Sequence, residues 1–535
     1  LEQRKVEMLV YDGNPIEAVT YFKRAANYAD AEVSTCSLCG NVNPEIILNI
    51  IDEKALDDSG QITDSRKVTP QEWHRMYLDR VDRSGEPEHR DIPHTEQKRP
   101  PRLKQLLIFL QRNLRAKLPD SQYLLITIAE TPLLAMIVAL LTRYAPESGY
   151  TVMDNKNLVS YIFMAVIVAI FAGMSVSAEE IFKDRALLKR EKFLRLSRSA
   201  YLWSKILYLA GVSLIQTLLF ILVGNTVMGI GFTFWIWWLI LFLSSMLANL
   251  TGLILSQSLN SIVAIYVTIP LLLIPQILLC GLVVKFDDLT PRSTTGNVPI
   301  IGDLIPSRWA FEALAVGSFA YNDFEKMTFP DDKVKYQSQY YRTAFIYELE
   351  SRLESGDSAD LEIVRHGIPV LSERTGIRPY GGSTDSIRHG VLDTASINRI
   401  QSWLSYAEDT LGTIGNRATL AADSHLTAYR DAHGRDALIK LRRDNCNGYL
   451  ETLVTNSSSP ELYSVIGNTI VPKAGQIWLD PPSRNGRAPF YSSVKIIGNL
   501  KINTVIYNIA ILLLMCIAAG ILLFADIPGR FMRKH

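Results

Sequence analysis

Six stretches of this 535-residue chain are apolar for long enough to cross a hydrocarbon layer, and they restrict the fold more than any other feature. A helix needs roughly 20 apolar residues to span such a layer. Segments of that kind lie at about 122–142, 158–178, 203–224, 232–255, 261–284 and 503–525. The averages, 48% hydrophobic and 20% charged, resemble a large water-soluble protein only because polar blocks dilute the apolar ones. The sequence thus predicts a mainly α, multi-pass membrane protein. Trp235, Trp237 and Trp238 open the fourth segment, as in an interfacial aromatic belt. Pro270 and Pro275 predict a kink in the fifth.

Topology is set by the charged stretch 179–201, EEIFKDRALLKREKFLRLSRSAY, between the second and third segments. Lys183, Arg185, Lys189, Arg190, Lys192, Arg195 and Arg198 outnumber Glu179, Glu180, Asp184 and Glu191, which places this loop on the cytoplasmic side. It holds no Gly or Pro, and its apolar residues recur at near-helical spacing, so one amphipathic helix is expected there. Residues 102–118, RLKQLLIFLQRNLRAKL, read as a basic amphipathic elbow helix at the same interface. Six crossings then leave both termini cytoplasmic, with Arg530, Arg533, Lys534 and His535 as a basic tail. The long region 285–500 falls outside. It begins with an apolar piece at 298–319, too short to span, that reads as a re-entrant element containing Ser307, Arg308 and Trp309. Helical patterning continues at 334–353, 397–411 and 417–454, with a break near Gly434. Before the elbow, residues 1–60 read as a small folded tail and 61–101 as a linker.

Chemistry-bearing motifs are sparse. The formal charge is +1, and no basic tract interleaved with aromatics suggests nucleic acid. There is no phosphate-cradling glycine loop, no nucleophile elbow and no His-Glu-x-x-His pair. Asp423-Ser424-His425 has the residue types of a hydrolase triad, but adjacency in sequence is not triad geometry. Cys36 and Cys39 have the spacing of half a zinc site without a second half, so unligated thiols are expected and no metal is assigned. Catalytic residues are not expected in this chain. The polar residues of interest lie in the spans: Glu130 is costly in hydrocarbon and is a candidate for the substrate pathway. Gln216, Asn225, Asn249, Thr268 and Gln276 are of the kind that joins packed membrane helices, and all but Asn225 are also pathway candidates. Asn456-Ser457-Ser458 is a glycosylation sequon if the chain enters a secretory pathway.

Three motifs carry a family resemblance. The segment Asp184-Arg185-Ala186-Leu187-Leu188-Lys189-Arg190-Glu191, continued by Ser199-Ala200-Tyr201 and Ser204-Lys205, resembles the E-R-x-x-x-x-R-E…Y segment between the second and third helices of ABC-2 type exporter permeases, especially ABCG-like ones. Ile305-Pro306-Ser307-Arg308-Trp309-Ala310-Phe311-Glu312-Ala313-Leu314 resembles the segment after their fifth helix. At the start, Val10-Tyr11-Asp12-Gly13-Asn14-Pro15, Tyr21-Phe22, Asn43-Pro44 and 46–51 resemble the stretch just C-terminal to the ATPase domain in fused half-transporters. Residues 325–490 exceed the usual outer loop and resemble the extended form of bacterial relatives.

The resemblance implies a six-helix permease whose nucleotide-binding domain, with its ATP and Mg, lies upstream of residue 1 or on a separate partner. It also implies a homodimer in contact with membrane lipids in the inner membrane, moving a lipid-like, amphipathic or glycan substrate by alternating access. The coupling helix, with Asp184, Arg185, Arg190 and Glu191, then sits in the ATPase groove, and ion pairs from Arg190 and Glu191 are expected to hold it in place. The expected domains are 102–118, 119–284 with the coupling helix at 179–201, 285–500, and 501–535. A membrane-anchored receptor or scaffold, with the outer domain binding a partner, is the alternative reading.

Overall fold

The computed structural model describes residues 8–32, 44–57, 60–80, 100–147, 149–191, 196–231, 233–289, 296–382 and 393–526. The chain divides into two compact units, Leu1–Arg99 and Pro100–His535.

In the first unit, helices α1 (Pro15–Ala25), α2 (Pro44–Ile51) and α3 (Pro70–Arg80) accompany an antiparallel hairpin of β1 (Lys54–Leu56) and β2 (Ile62–Arg66). Phe22, Ile50 and Trp73 form its core. A capping box starts α3: the Thr69 amide donates to Glu72 Oε2 at 2.8 Å, and the Glu72 amide donates to Thr69 Oγ1 at 3.3 Å. Ordered structure therefore runs through the first part of the stretch expected to be a linker, because Trp73 supplies an apolar anchor that an Asp/Ser/Arg-rich composition conceals. Cys36 and Cys39 lie outside the described residues.

The second unit opens with α4 (Arg102–Lys117), which buries Phe109 and exposes Leu103, Leu107, Ile108 and Leu114, as an interfacial helix does. Among the described residues, five helices are long and apolar enough to span a membrane: α5 (Ser121–Thr142), α6 (Leu158–Ser177), which runs almost directly into α7 (Glu180–Arg190), α8 (Arg198–Met228), α9 (Phe234–Ser258) and, toward the far end of the chain, α20 (Thr504–Ala525). Side-chain caps fix three of these starts, with Asp120, Ser197 and Asn503 each accepting an amide hydrogen from the first turn of the helix they precede. The fifth predicted span is a shorter helix, α10 (Ile262–Leu278), with Pro270 and Pro275 inside it. At 1.5 Å per residue its 17 residues extend only about 25 Å. The single helix expected over 179–201 is also shorter: α7 stops at Arg190, and Arg198 through Tyr201 belong to α8.

Around the bundle core, α6 packs on α9, α5 on α8, and α9 on α20. Short helices α11 (Phe286–Leu289) and α12 (Ile300–Asp303) lead to α13 (Pro306–Ala320), a fully enclosed helix packed against α6, α9 and α20. Trp237 is drawn into this contact, its indole donating to Ser318 Oγ at 3.1 Å, whereas Trp235 stays 71% exposed; one member of the expected aromatic belt is therefore a core residue.

The insertion between α13 and α20 is mostly helical. Helix α14 (Glu325–Tyr340) passes through a π-helical segment (Tyr341–Ile346) into α15 (Tyr347–Ser355); next come α16 (Ser358–Thr375), α17 (Thr394–His433), α18 (Arg435–Asn445) and α19 (Gly448–Thr455). Gly434, at φ 89°, makes the break between α17 and α18, a conformation suited to glycine. Two antiparallel hairpins complete the insertion, β3 (Tyr463–Ile466) with β4 (Thr469–Pro472) and β5 (Val494–Ile497) with β6 (Leu500–Asn503). Leu349, Val364, Leu371 and Leu404 centre its own apolar core.

Candidate functional site

Glu180, in the first turn of α7, is only 4% exposed, and a buried carboxylate is tolerated only when paired. Two helices supply the partners: Lys117 of α4 at 2.5 Å and Lys205 of α8 at 2.8 Å. Lys205 also reaches Asp184 Oδ2 at 2.9 Å, and the Tyr201 hydroxyl donates to the same oxygen at 2.9 Å. At the other end of α7, Glu191 takes a hydrogen bond from Arg112 of α4 at 2.8 Å. Arg190 points to the exposed side and has no charged partner among the described residues. Of the two residues expected to hold this helix by ion pairs, only Glu191 has a partner here.

A second attachment joins α7 to α9 by mutual capping. The Ser256 hydroxyl, in the last turn of α9, accepts from the Ile181 and Phe182 amides at 3.1 and 2.9 Å, using donors that a helix start leaves without partners. In return, Arg185 Nη2 donates to the carbonyls of Ser256, Gln257 and Leu259, and its Nη1 to Asn260 Oδ1 at 3.1 Å. A cation at the carboxyl end of α9 also interacts favourably with the negative end of that helix's dipole. Helix α7 is thereby fixed to α4, α8 and α9 by charged and capping contacts, to which buried Ile181 adds apolar packing in a cluster with Phe109 and Leu253. Sequence reasoning missed Arg112, Lys117 and Ser256. The two cations sit in a helix assigned to the interface, and nothing in a serine at a span's end distinguishes it as a cap.

The polar residues within the spans separate into two kinds. Gln216 Nε2 donates to the Thr127 carbonyl at 2.8 Å, joining α8 to α5, and Asn249 Nδ2 donates to Ser213 Oγ at 2.7 Å, joining α9 to α8. Asn225 accepts from the Tyr161 hydroxyl at 2.7 Å, and Gln276 Oε1 accepts the Ser307 amide at 3.0 Å, fastening α10 to the start of α13. Thr268 bonds only to its own helix, at the Ala264 carbonyl. Glu130 differs from all of these: half-buried in α5, it has no hydrogen-bond or ionic partner among the described residues.

Helix α13 carries a buried charge cluster of its own. Glu312, fully enclosed, accepts from Lys495 Nζ of β5 at 2.7 Å and from Asn508 Nδ2 of α20 at 2.8 Å, while Arg308 lies one turn back with Nη1 at 3.5 Å. The Arg308 guanidinium stacks over Trp309, 3.7 Å from the ring centre. The Trp309 indole donates to the Asp303 carbonyl at 2.8 Å. Burial lowers the affinity of the Lys495 amine for its proton, a fall that the Glu312 carboxylate partly offsets. The four-residue spacing of Arg308 and Glu312 in an apolar helix is a legible sign of such a cluster; Lys495 and Asn508 are too distant in sequence to be paired with it.

The hydrolase-like run leads nowhere, since Ser424 Oγ donates to its own helix at Ala421 and His425 faces Asp331 at 3.5 Å. No group of metal-ligand residues forms among the described residues. No curated protein matches the chain. The ABC-2 type transporter family matches over residues 104–319, a stretch that begins in α4, takes in the anchored α7 and closes at the end of α13. Residues 104–319 are thus an ABC-2 type transporter domain, and the chain is a multi-pass, mainly helical transmembrane permease of the ABC transporter class.

Proposed function

We propose that this permease is the membrane half of an ATP-driven exporter in which α7 receives the stroke of an ATPase domain, fused ahead of the chain or separate, that binds ATP and Mg. The attachment of α7 carries the reading: a short charged helix is held by ion pairs to α4 and α8 and by reciprocal caps to α9. Displacing such a helix moves three membrane-associated elements together, which is the mechanical requirement for switching a cavity between two openings. The chain works as a homodimer in the inner membrane of a bacterium, with both termini and α7 cytoplasmic and the insertion outside. The substrate is lipid-like, amphipathic or a glycan, and Glu130, a span carboxylate with no partner among the described residues, lies on its route.

ATPase activity of the full-length gene product in lipid nanodiscs tests this. Glu191→Ala and Arg112→Ala should each weaken or uncouple lipid-stimulated hydrolysis, and the exchanged pair Arg112→Glu with Glu191→Arg should recover part of it. Nucleotide-independent behaviour, with no ATPase fused or co-purifying, would sink the proposal in favour of a membrane-anchored receptor.

A further inference from the structure

The insertion contains a pocket of about 250 Å³ enclosed by the π-helical segment, α16, β4 and the 476–489 loop. Its walls are mainly apolar: Tyr340, Tyr341 and Phe345 form a chain of rings with centroids 5.3 and 5.5 Å apart, faced by Val370 and by prolines that include Pro472 and Pro482. A π-helical turn is rare and is found frequently at functional sites. Here that turn supplies Tyr341 and Phe345.

Two polar side chains on this wall lack partners. Gln476 is 8% exposed, yet its amide makes no hydrogen bond among the described residues. Tyr340 is 6% exposed, and its hydroxyl is buried without a partner. The Tyr340 hydroxyl is closed off from solvent, whereas the Gln476 amide keeps its hydrogen-bonding capacity open, and it is the group on this wall that a ligand could complete. The charged groups are already occupied. Arg374 donates to the carbonyls of Pro481 and Pro482 at 2.7 and 2.8 Å, and Asp480 is paired with Lys333 at 2.8 Å and Lys501 at 2.6 Å. The groups left without partners on this wall are therefore neutral ones.

We infer that this pocket binds a neutral sugar ring. Its volume suits a single small ring rather than a drug-sized molecule. A pyranose offers an apolar C–H face to the tyrosine and phenylalanine rings and, at its edge, hydroxyls that both donate and accept, as the Gln476 amide requires. The inference goes beyond the transport reading and does not depend on it.

Saturation-transfer NMR on the full chain in phosphatidylcholine nanodiscs tests it, with N-acetyl-D-glucosamine and D-galactose as probes and adenosine and octanol as comparators. Transfer should appear on the sugar C–H protons and should fall about tenfold with Val370→Trp, which fills the pocket, and severalfold with Gln476→Leu, which removes the amide at similar volume. If Val370→Trp shifts the unfolding midpoint, Gln476→Leu alone decides. No transfer to either sugar, transfer to adenosine or octanol only, or sugar signals unchanged in the folded variants would each overturn the assignment.

Discussion

Glu312 depends on groups from three elements, and that sets what its loss should cost. Removing one partner of a buried pair strands the other charge, typically at about 3–5 kcal/mol. Glu312→Gln and Lys495→Met should each lower the unfolding midpoint of the detergent-solubilised chain. The double variant Glu312→Gln with Lys495→Met should be less damaging than the sum of the singles, because neither member of the pair is then left stranded by the other, while Arg308 keeps Asp303 at 3.9 Å; strict additivity would mean that the pair is not coupled. Glu325 gives a pH-dependent counterpart. Burial pushes its carboxyl up to about 7; the Cys446 hydrogen bond opposes this, and the nearby Glu451 and Asp332 charges add to it. The folded chain thus keeps a proton that the unfolded chain releases near pH 4.5, so stability is full below that value and falls as pH rises toward about 7. The loss is on the order of 3 kcal/mol, and Glu325→Gln should flatten the slope across that window in thermal unfolding. At this scale the sequence was least informative. Glu312 stood in view just beyond the Ser307–Trp309 segment, but Lys495 is 183 residues away, and only folding brings the two together.

Whole elements were far more legible, because a span announces itself through some twenty consecutive apolar residues and needs no knowledge of its partners. Packing between spans is another matter. A Cβ on Gly173 of α6 would come within 2.4 Å of the Ser245 carbonyl oxygen of α9, and one on Gly252 of α9 would meet Ser177 Oγ of α6 at 2.0 Å. These glycines allow the two helices to approach closely, as small residues do at membrane helix contacts. Gly173→Ala should therefore destabilise the fold by about 1–3 kcal/mol. Gly211→Ala in α8, where an added methyl meets nothing within 4 Å, should be neutral or slightly stabilising. Equal effects at both sites, read from unfolding midpoints, would refute a close α6–α9 contact. Hydropathy cannot separate these glycines, since each sits in an equally apolar run. The same blindness explains the coupling segment: 179–201 reads as one helix by composition, while the structure ends α7 at Arg190 and gives Arg198 onward to α8.

Beyond its own chain connections, the insertion is fastened to the membrane bundle at a site that no local pattern could reveal. Asn447 is 5% exposed, and its Nδ2 donates to the carbonyls of Val152 and Asn155, in the loop between α5 and α6, at 2.7 and 2.9 Å. Its Oδ1 meanwhile caps α19 by accepting the Leu450 amide at 2.8 Å. Two backbone bonds flank the bridge, from the Met153 amide to the Arg443 carbonyl and from the Gly448 amide to the Met153 carbonyl. The two ends of one side chain thus do separable jobs, and substitution can divide them. Asn447→Asp keeps an oxygen for the Leu450 amide but cannot donate to Val152 or Asn155, whereas Asn447→Ala removes both functions. Hydrogen exchange on the folded chain should show the Met153 and Gly448 amides opening on the order of tenfold faster in both variants, for the loss of about 1–3 kcal/mol of buried hydrogen bonding. The Leu450 amide should stay protected in Asn447→Asp and lose protection only in Asn447→Ala. If Met153 remains protected in Asn447→Asp, the carboxamide is not what holds the α5–α6 loop to the insertion.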